Sequence, residues 1–203
     1  MGDVLTRDPE VPKRTSAARE RILATADRLF YDEGVQAVGI QRIIAEAGVT
    51  RVTLYRHFPS KDDLVAAYLE RRSAYDHAQI DGIIESHRDD PRGALSELAT
   101  ALTRDDFGSL RRGCPFINAS AEFTGSHVAR VMAREIRSWV TEQIAGLLRA
   151  LDHADPRGTA EQLMMVRTGA VVSGSLDAND HLSEDFVRCW ERLIDAGLPA
   201  APR

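Results

Sequence analysis

The chain has 203 residues, 43% of them hydrophobic and 28% charged, enough to bury a real core as one compact domain or as a small head on a larger body. Two cysteines, Cys114 and Cys189, are too few for a disulfide framework, no apolar run approaches a bilayer span and no signal-peptide core opens the chain, so a cytoplasmic protein is expected. The net charge of −5 argues against a general nucleic-acid binder, yet from Lys13 to Lys61 nine Lys/Arg stand against five Asp/Glu, a basic segment on an acidic remainder.

Residues 1–14 carry Pro9 and Pro12, mixed charge and no apolar period, as a flexible arm does. Its Arg7, Lys13 and Arg14 are either solvated or able to reach a minor groove. A first helix is predicted over about 16–33, where Ile22, Leu23, Ala26, Leu29 and Phe30 share one face and Gly34 ends it.

The next stretch, 39–58, organises the rest. A helix over 40–47 keeps Ile43, Ile44 and Ala47 on one side, Gly48 supplies the positive φ of a corner, and Thr50 caps a second helix over 51–57. Leu54 and Phe58 turn inward, while Arg51, Val52, Thr53, Tyr55 and Arg56 turn outward. A short helix, a glycine-bearing turn and an exposed basic, hydroxylic and aromatic helix make the helix-turn-helix plan. A helix–glycine–helix corner alone is also an ordinary packing device.

Pro59 ends that helix, and Ser60 with Asp63 forms a capping box for a long helix from Lys61 to about 87. Leu64, Tyr68 and Leu69 are assigned to the head and Tyr75, Ile80, Ile83 and Ile84 to the body. Asp90-Pro91 starts a helix to about 105 with Leu95, Leu98, Ala99 and Leu102 inside. Cys114-Pro115 opens a sixth helix, and 127–151 a seventh with a clean apolar face that includes Ile136, Trp139, Val140 and Leu148. The eighth, about 157–176, is apolar on several sides, with Gly169, Ala170, Ser173 and Gly174 allowing close approach of another helix. The ninth, about 183–197, buries Phe186, Val187, Trp190, Leu193 and Ile194. The expected fold class is all-α, about nine helices, with an arm (1–14), a helix-turn-helix head (15–76) and a larger helical body (77–203).

The string Ala-Gly-Val-Thr-Arg-Val-Thr-Leu-Tyr-Arg-His-Phe-Pro-Ser-Lys-Asp-Asp-Leu, with Arg21 to Phe30 and Glu33-Gly34 before it, resembles the TetR/AcrR family of transcriptional repressors. The chain departs from that pattern at Val38-Gly39-Ile40, where the family has a Ser or Thr able to cap and to touch phosphate. The resemblance implies DNA contacts from Gln41, Arg51, Val52, Thr53, Tyr55, His57 and Lys61. By chemistry, Arg51 suits a bidentate contact to guanine, Val52 or the Thr53 methyl a thymine methyl, and Gln41 an adenine or a phosphate. Tyr55, His57 and Lys61 suit phosphate, and Tyr55 and His57 suit packing inside the head equally well.

The resemblance also implies a homodimer through the eighth and ninth helices, reading a palindromic operator, and a body that binds a small-molecule effector. Gly169, Ala170, Gly174, Phe186, Trp190 and Leu193 are the dimer candidates, with an internal core as the competing reading. The string Gly113-Cys-Pro-Phe-Ile-Asn-Ala-Ser-Ala-Glu-Phe123 looks like a variant found beside the effector cavity in one branch of the family. Phe107, Phe116, Asn118, Glu122, Trp139, Met165, Thr168 and Val172 combine apolar walls with polar anchors, as pockets do and as ordinary cores do.

No His-Glu-x-x-His, paired CxxC, phosphate loop or Gly-x-Ser-x-Gly elbow is present, so no enzyme, metal or cofactor is expected. An architectural DNA binder without effector, or a redox sensor built on Cys114 beside Arg111 and Arg112, are the remaining alternatives.

Overall fold

The structure, a computed structural model, describes residues 16–103, 112–176 and 180–199. Among these residues there are nine α-helices and no strand: α1 (Ala17–Glu33), α2 (Ile40–Ala47), α3 (Arg51–His57), α4 (Lys61–Ser86), α5 (Pro91–Thr103), α6 (Pro115–Ala121), α7 (Val128–Ala150), α8 (Pro156–Leu176) and α9 (Leu182–Asp195). The arm with Arg7, Lys13 and Arg14, the end expected for the fifth helix, Phe107 and Arg111 lie outside the described residues.

Local chemistry explains the N-terminal boundaries. The Ser16 hydroxyl accepts from the Arg19 amide to cap α1, and Thr50 accepts from the Thr53 amide at 3.1 Å to cap α3. The capping box forms as expected: the Asp63 amide donates to Ser60 Oγ at 3.0 Å, and the Ser60 amide to Asp63 at 2.9 Å. Gly39 caps α2 with no side-chain hydrogen bond, the consequence of lacking a hydroxyl there. Gly48 turns the corner at φ +61°.

The core runs without a break from α1–α3 into the body. Ile22, Leu29, Ile43, Leu54 and Phe58 fill the three-helix head, and Leu64, Tyr68 and Leu69 of α4 close it. Phe30 meets Tyr68 edge to face at 5.7 Å. At 26 residues α4 is about 39 Å long by helix geometry, so one rigid element touches both parts. Its Ile80 and Ile83 are buried against the body, but Tyr75, assigned to that interface, stays half exposed.

In the body, α7 packs between α8, α6, α4 and α5, and α9 closes against α5 and α8. Trp190 is 0% exposed and donates its indole N–H to Leu95 O of α5 at 3.1 Å. Phe186 is 2% exposed and packs beside it at 5.5 Å between ring centroids. Both are spent on the protomer's own core and offer no surface to a second chain, which corrects their assignment to a dimer face. Ala170 is likewise buried within the protomer.

Candidate nucleic-acid interface and effector cavity

α3 is held from beneath and open above. Leu54 is fully buried, and Arg19 lies over the Phe58 ring at 5.1 Å. Val52 is 77% exposed and Tyr55 37%, and Arg51 and Arg56 are also exposed. A valine side chain left this open on a helix pinned so firmly has no folding role. Arg51 leans over the Tyr55 ring at 5.5 Å, an arrangement that holds its guanidinium out from the helix. Thr53 is half buried and shares a 2.9 Å hydrogen bond with Thr50, which leaves its methyl as its outward chemistry. His57 is also half buried and hydrogen-bonds Ser16 at 3.1 Å, tying α3 to the start of α1. Gln41, on the first turn of α2, is exposed.

Charge concentrates on that face because other basic groups of the head are already engaged. Arg42 binds Glu33 and Glu46, and Arg28 binds Glu46. These contacts raise Arg42 above its ordinary value, hydrogen bonding to Glu33 foremost, and lower Glu46, hydrogen bonding to Arg42 foremost. Arg21 donates to Ala47 O at 3.3 Å. Among the described residues Arg51 and Arg56 make no ion pair. Lys61, at the first turn of α4, is half buried; burial lowers its ammonium, while Glu122 and then Asp62 work the other way.

The body holds a cavity of about 300 Å³ between α4, α5, α6, α7 and α8. Its apolar wall includes Ile80, Ile83, Leu98, Phe116, Val140 and Met164. Among the described residues its polar wall is mainly cationic: Arg130, Arg134 and Arg137 of α7 and Arg167 of α8, with Asp76 the one carboxylate. A second space of about 280 Å³ lies by Ser73, His77 and Trp139; the His77 and Trp139 rings meet at 3.8 Å between centroids, tilted by 35°.

Of the residues named from sequence for a ligand, Phe116 lines the main cavity and Trp139 the second. Met165 is 61% exposed and Val172 is exposed, both on the outer side of α8, so neither faces a pocket. Asn118 donates to Arg112 O at 2.6 Å, and Thr168 accepts from Arg137 at 2.8 Å just behind the wall. The four arginines were missed because charged side chains on a helix read as a solvated face. The available signal was Arg130, Arg134 and Arg137 at i, i+4 and i+7, like charges stacked on one stripe.

Glu122 also lies away from the cavity and has another task. Its carboxylate accepts from the amides of Val35 at 2.8 Å and Gln36 at 2.6 Å, in the α1–α2 loop, while Gln36 Nε2 donates to Glu122 O. Gly34 has φ +97°, and a Cβ there would stand 3.1 Å from Glu122 Oε1, so glycine permits both the turn and the approach. At the other end of α6, Tyr31 donates to Gly113 O at 3.1 Å, and the Arg112 amide and guanidinium donate to Tyr31 Oη and O at 3.0 and 3.1 Å. The helix whose Phe116, Ile117 and Ser120 line the cavity is thus tied at both ends to α1 and the loop after it.

Residues 22–68 match the family described as bacterial regulatory proteins, tetR family. An HTH-type transcriptional regulator of Mycobacterium tuberculosis, Rv1255c, is 41% identical over 61 residues, which span 30% of this chain and 30% of that protein. The crystal structure of a TetR-family transcriptional regulator from Streptomyces coelicolor superposes with a TM-score of 0.85 at 36% identity, covering 90% of each chain. The reduced form of NemR from E. coli shares the fold at 22% identity and a TM-score of 0.77, over 91% of this chain and 100% of that one. This chain belongs to the TetR family of transcriptional regulators.

Proposed function

We propose that the chain is a homodimeric, cytoplasmic DNA-binding repressor that a small-molecule effector releases from a palindromic operator. In this reading residues 15–76 form the DNA-binding head and residues 77–203 the body for effector and partner. The observation that carries it is the outward side of α3, where Arg51, Val52 and Tyr55 stand exposed on a helix whose inner side is locked into the core. In a major groove Arg51 reads guanine, and Val52 or the Thr53 methyl meets thymine. Gln41, His57 and Lys61 suit the flanking backbone, and Tyr55 supports Arg51 or meets phosphate.

Two heads are needed because one short helix reads too few base pairs for specificity, and paired half-sites stand about 34–36 Å apart or a multiple of it. The outer stripe of α8 supports dimerisation: Met165, Gly169, Val172 and Leu176 recur at helical spacing, and Leu176 is 78% exposed. Gly174 on α8 and half-buried Leu193 on α9 remain available to the same interface.

Effector binding shifts a two-state equilibrium only through differential affinity. A ligand that moves α6 displaces Glu122 and the Tyr31 contacts together, and so moves the α1–α2 loop that leads into the helix-turn-helix. The cavity favours this reading over an effector-free architectural binder. Cys114, buried in the cavity wall, is better placed to pack than to meet an oxidant.

A gel shift on the DNA flanking the protein's own gene, with sedimentation of the free protein, tests the proposal. Specific retardation by a dimer is expected, and Val172→Glu is expected to shift the protein toward monomer and weaken retardation. A monomeric wild-type protein, or retardation equal on random DNA, would overturn it.

A further inference from the structure

The cationic wall of the cavity calls for a counter-charge. Arg130, Arg134 and Arg137 succeed one another at i, i+4 and i+7, a like-charge stripe that costs an isolated helix stability at every step. Such a stripe is ordinary where it faces water. Here it borders a cavity that is partly open to solvent and whose other wall is apolar; Arg130 and Arg137 are half buried there, Arg134 is exposed at its edge, and Arg167 lines the same space from α8. Among the described residues Arg130, Arg134 and Arg137 make no ion pair. Arg130 uses one nitrogen on Phe123 O at 3.1 Å, yet its buried Nε has no hydrogen-bond partner. Arg137 donates to the neutral Thr168 hydroxyl, and burial, then the proximity of Arg167, lowers its guanidinium below the ordinary value. The direction of that shift shows a cation short of stabilisation, although arginine keeps its charge at any physiological pH. Asp76 is the one carboxylate among the described lining residues. Buried donors without acceptors are costly, and guanidinium forks match carboxylate and phosphate oxygens.

We propose that this cavity takes a compact organic anion, its carboxylate or other oxyanion seated against Arg130, Arg134 and Arg137 and its apolar part against Phe116, Ile80 and Val140. The inference rests on the reading of this cavity as the effector site and names the class of effector. The volume, about 300 Å³, accommodates a medium-chain or small aromatic acid. A cationic effector is disfavoured by the same wall.

Calorimetric titration of the full-length protein with octanoate, octanol and octylamine separates charge from apolar burial. Octanoate is expected to bind at least about tenfold more tightly than octanol, and octylamine more weakly than either. Arg137→Met and, should that variant fold poorly, the more exposed Arg134→Gln are expected to lower octanoate affinity about tenfold and leave octanol unchanged. Octanol or octylamine binding as tightly as octanoate, no binding of octanoate, or variants that bind octanoate like wild type would overturn the proposal. DNA release is followed in parallel. Charge-selective binding without release would sink the effector reading and leave the anion site standing; release by octanol and octylamine alike would do the reverse.

Discussion

The outward side of α3 and the two ends of α6 are both rich in polar side chains on short helices, and they spend them in opposite ways. On α3 the polar and apolar groups of positions 51, 52 and 55 are exposed, and among the described residues Arg51 meets a neighbouring ring and no ion-pair partner. On α6 and its flanks, Arg112, Asn118 and Glu122 are each used on backbone groups of other segments or of the adjoining loop. A surface that leaves donors open on a rigid support is prepared for a partner outside the chain. A helix whose polar groups are consumed inside the chain transmits position instead. Binding and coupling are therefore separable by mutation.

The largest effect should come from the support beneath the recognition face. Leu54→Ala removes a fully buried side chain from the head and is expected to cost roughly 2–5 kcal/mol in denaturant unfolding, with DNA affinity falling alongside stability. If affinity fell while stability held, α3 would not be rigidly supported and the contrast with α6 would weaken. Next in size is Glu122→Ala, which strips the acceptor from the Val35 and Gln36 amides and is expected to cost roughly 1–3 kcal/mol. Its diagnostic consequence is functional: operator affinity without effector stays near wild type, and effector-driven release is blunted. Intact release from a destabilised variant would make Glu122 a structural tie only. Arg51→Ala, on the open face, should leave unfolding unchanged and cost about 1–3 kcal/mol on the cognate site, relaxing one base position. Equal loss on random DNA would move Arg51 from base reading to backbone contact.

How much of this was readable from residues alone differs between the same two regions. The boundaries of α2, α3 and the start of α4 follow from Gly48, Thr50 and the Ser60–Asp63 box, because caps and corners are local chemistry. The outward set on α3 follows from period alone once Leu54 and Phe58 are taken as inward. The cavity was not legible in the same way, since its walls come from five helices separated by up to about ninety positions. Periodicity says that Met165 and Val172 are apolar, not that they lie on the outer side of α8. Nor does it say that Trp190 is consumed by α5 while Arg130, Arg134 and Arg137 border a cavity. The usual rule that charged stripes face solvent hid the part of this one, Arg130 and Arg137, that is half buried at the cavity where a charged ligand is now proposed. Glu122 was singled out for a pocket as a polar anchor among apolar residues, in a string that resembles a cavity-side variant of the family; its partners are backbone amides some eighty-six residues away, which no local pattern reveals.

Lys61 stands where the two regions meet, so the smallest expected effect is also the one that sharpens their boundary. Its ammonium sits at the N-terminal turn of α4, where a DNA backbone would pass, but Asp62 and Asp63 share that turn and Glu122 is close enough to favour its charged form. If the charge is available to phosphate, Lys61→Ala weakens binding alike on cognate and random DNA. The slope of log affinity against log salt then falls by about 0.9, one counterion's worth. If the charge is instead committed to Glu122, the slope is unchanged, and effector release shifts in the direction seen for Glu122→Ala. The salt titration therefore assigns this side chain either to the interface that meets DNA or to the tie that moves it.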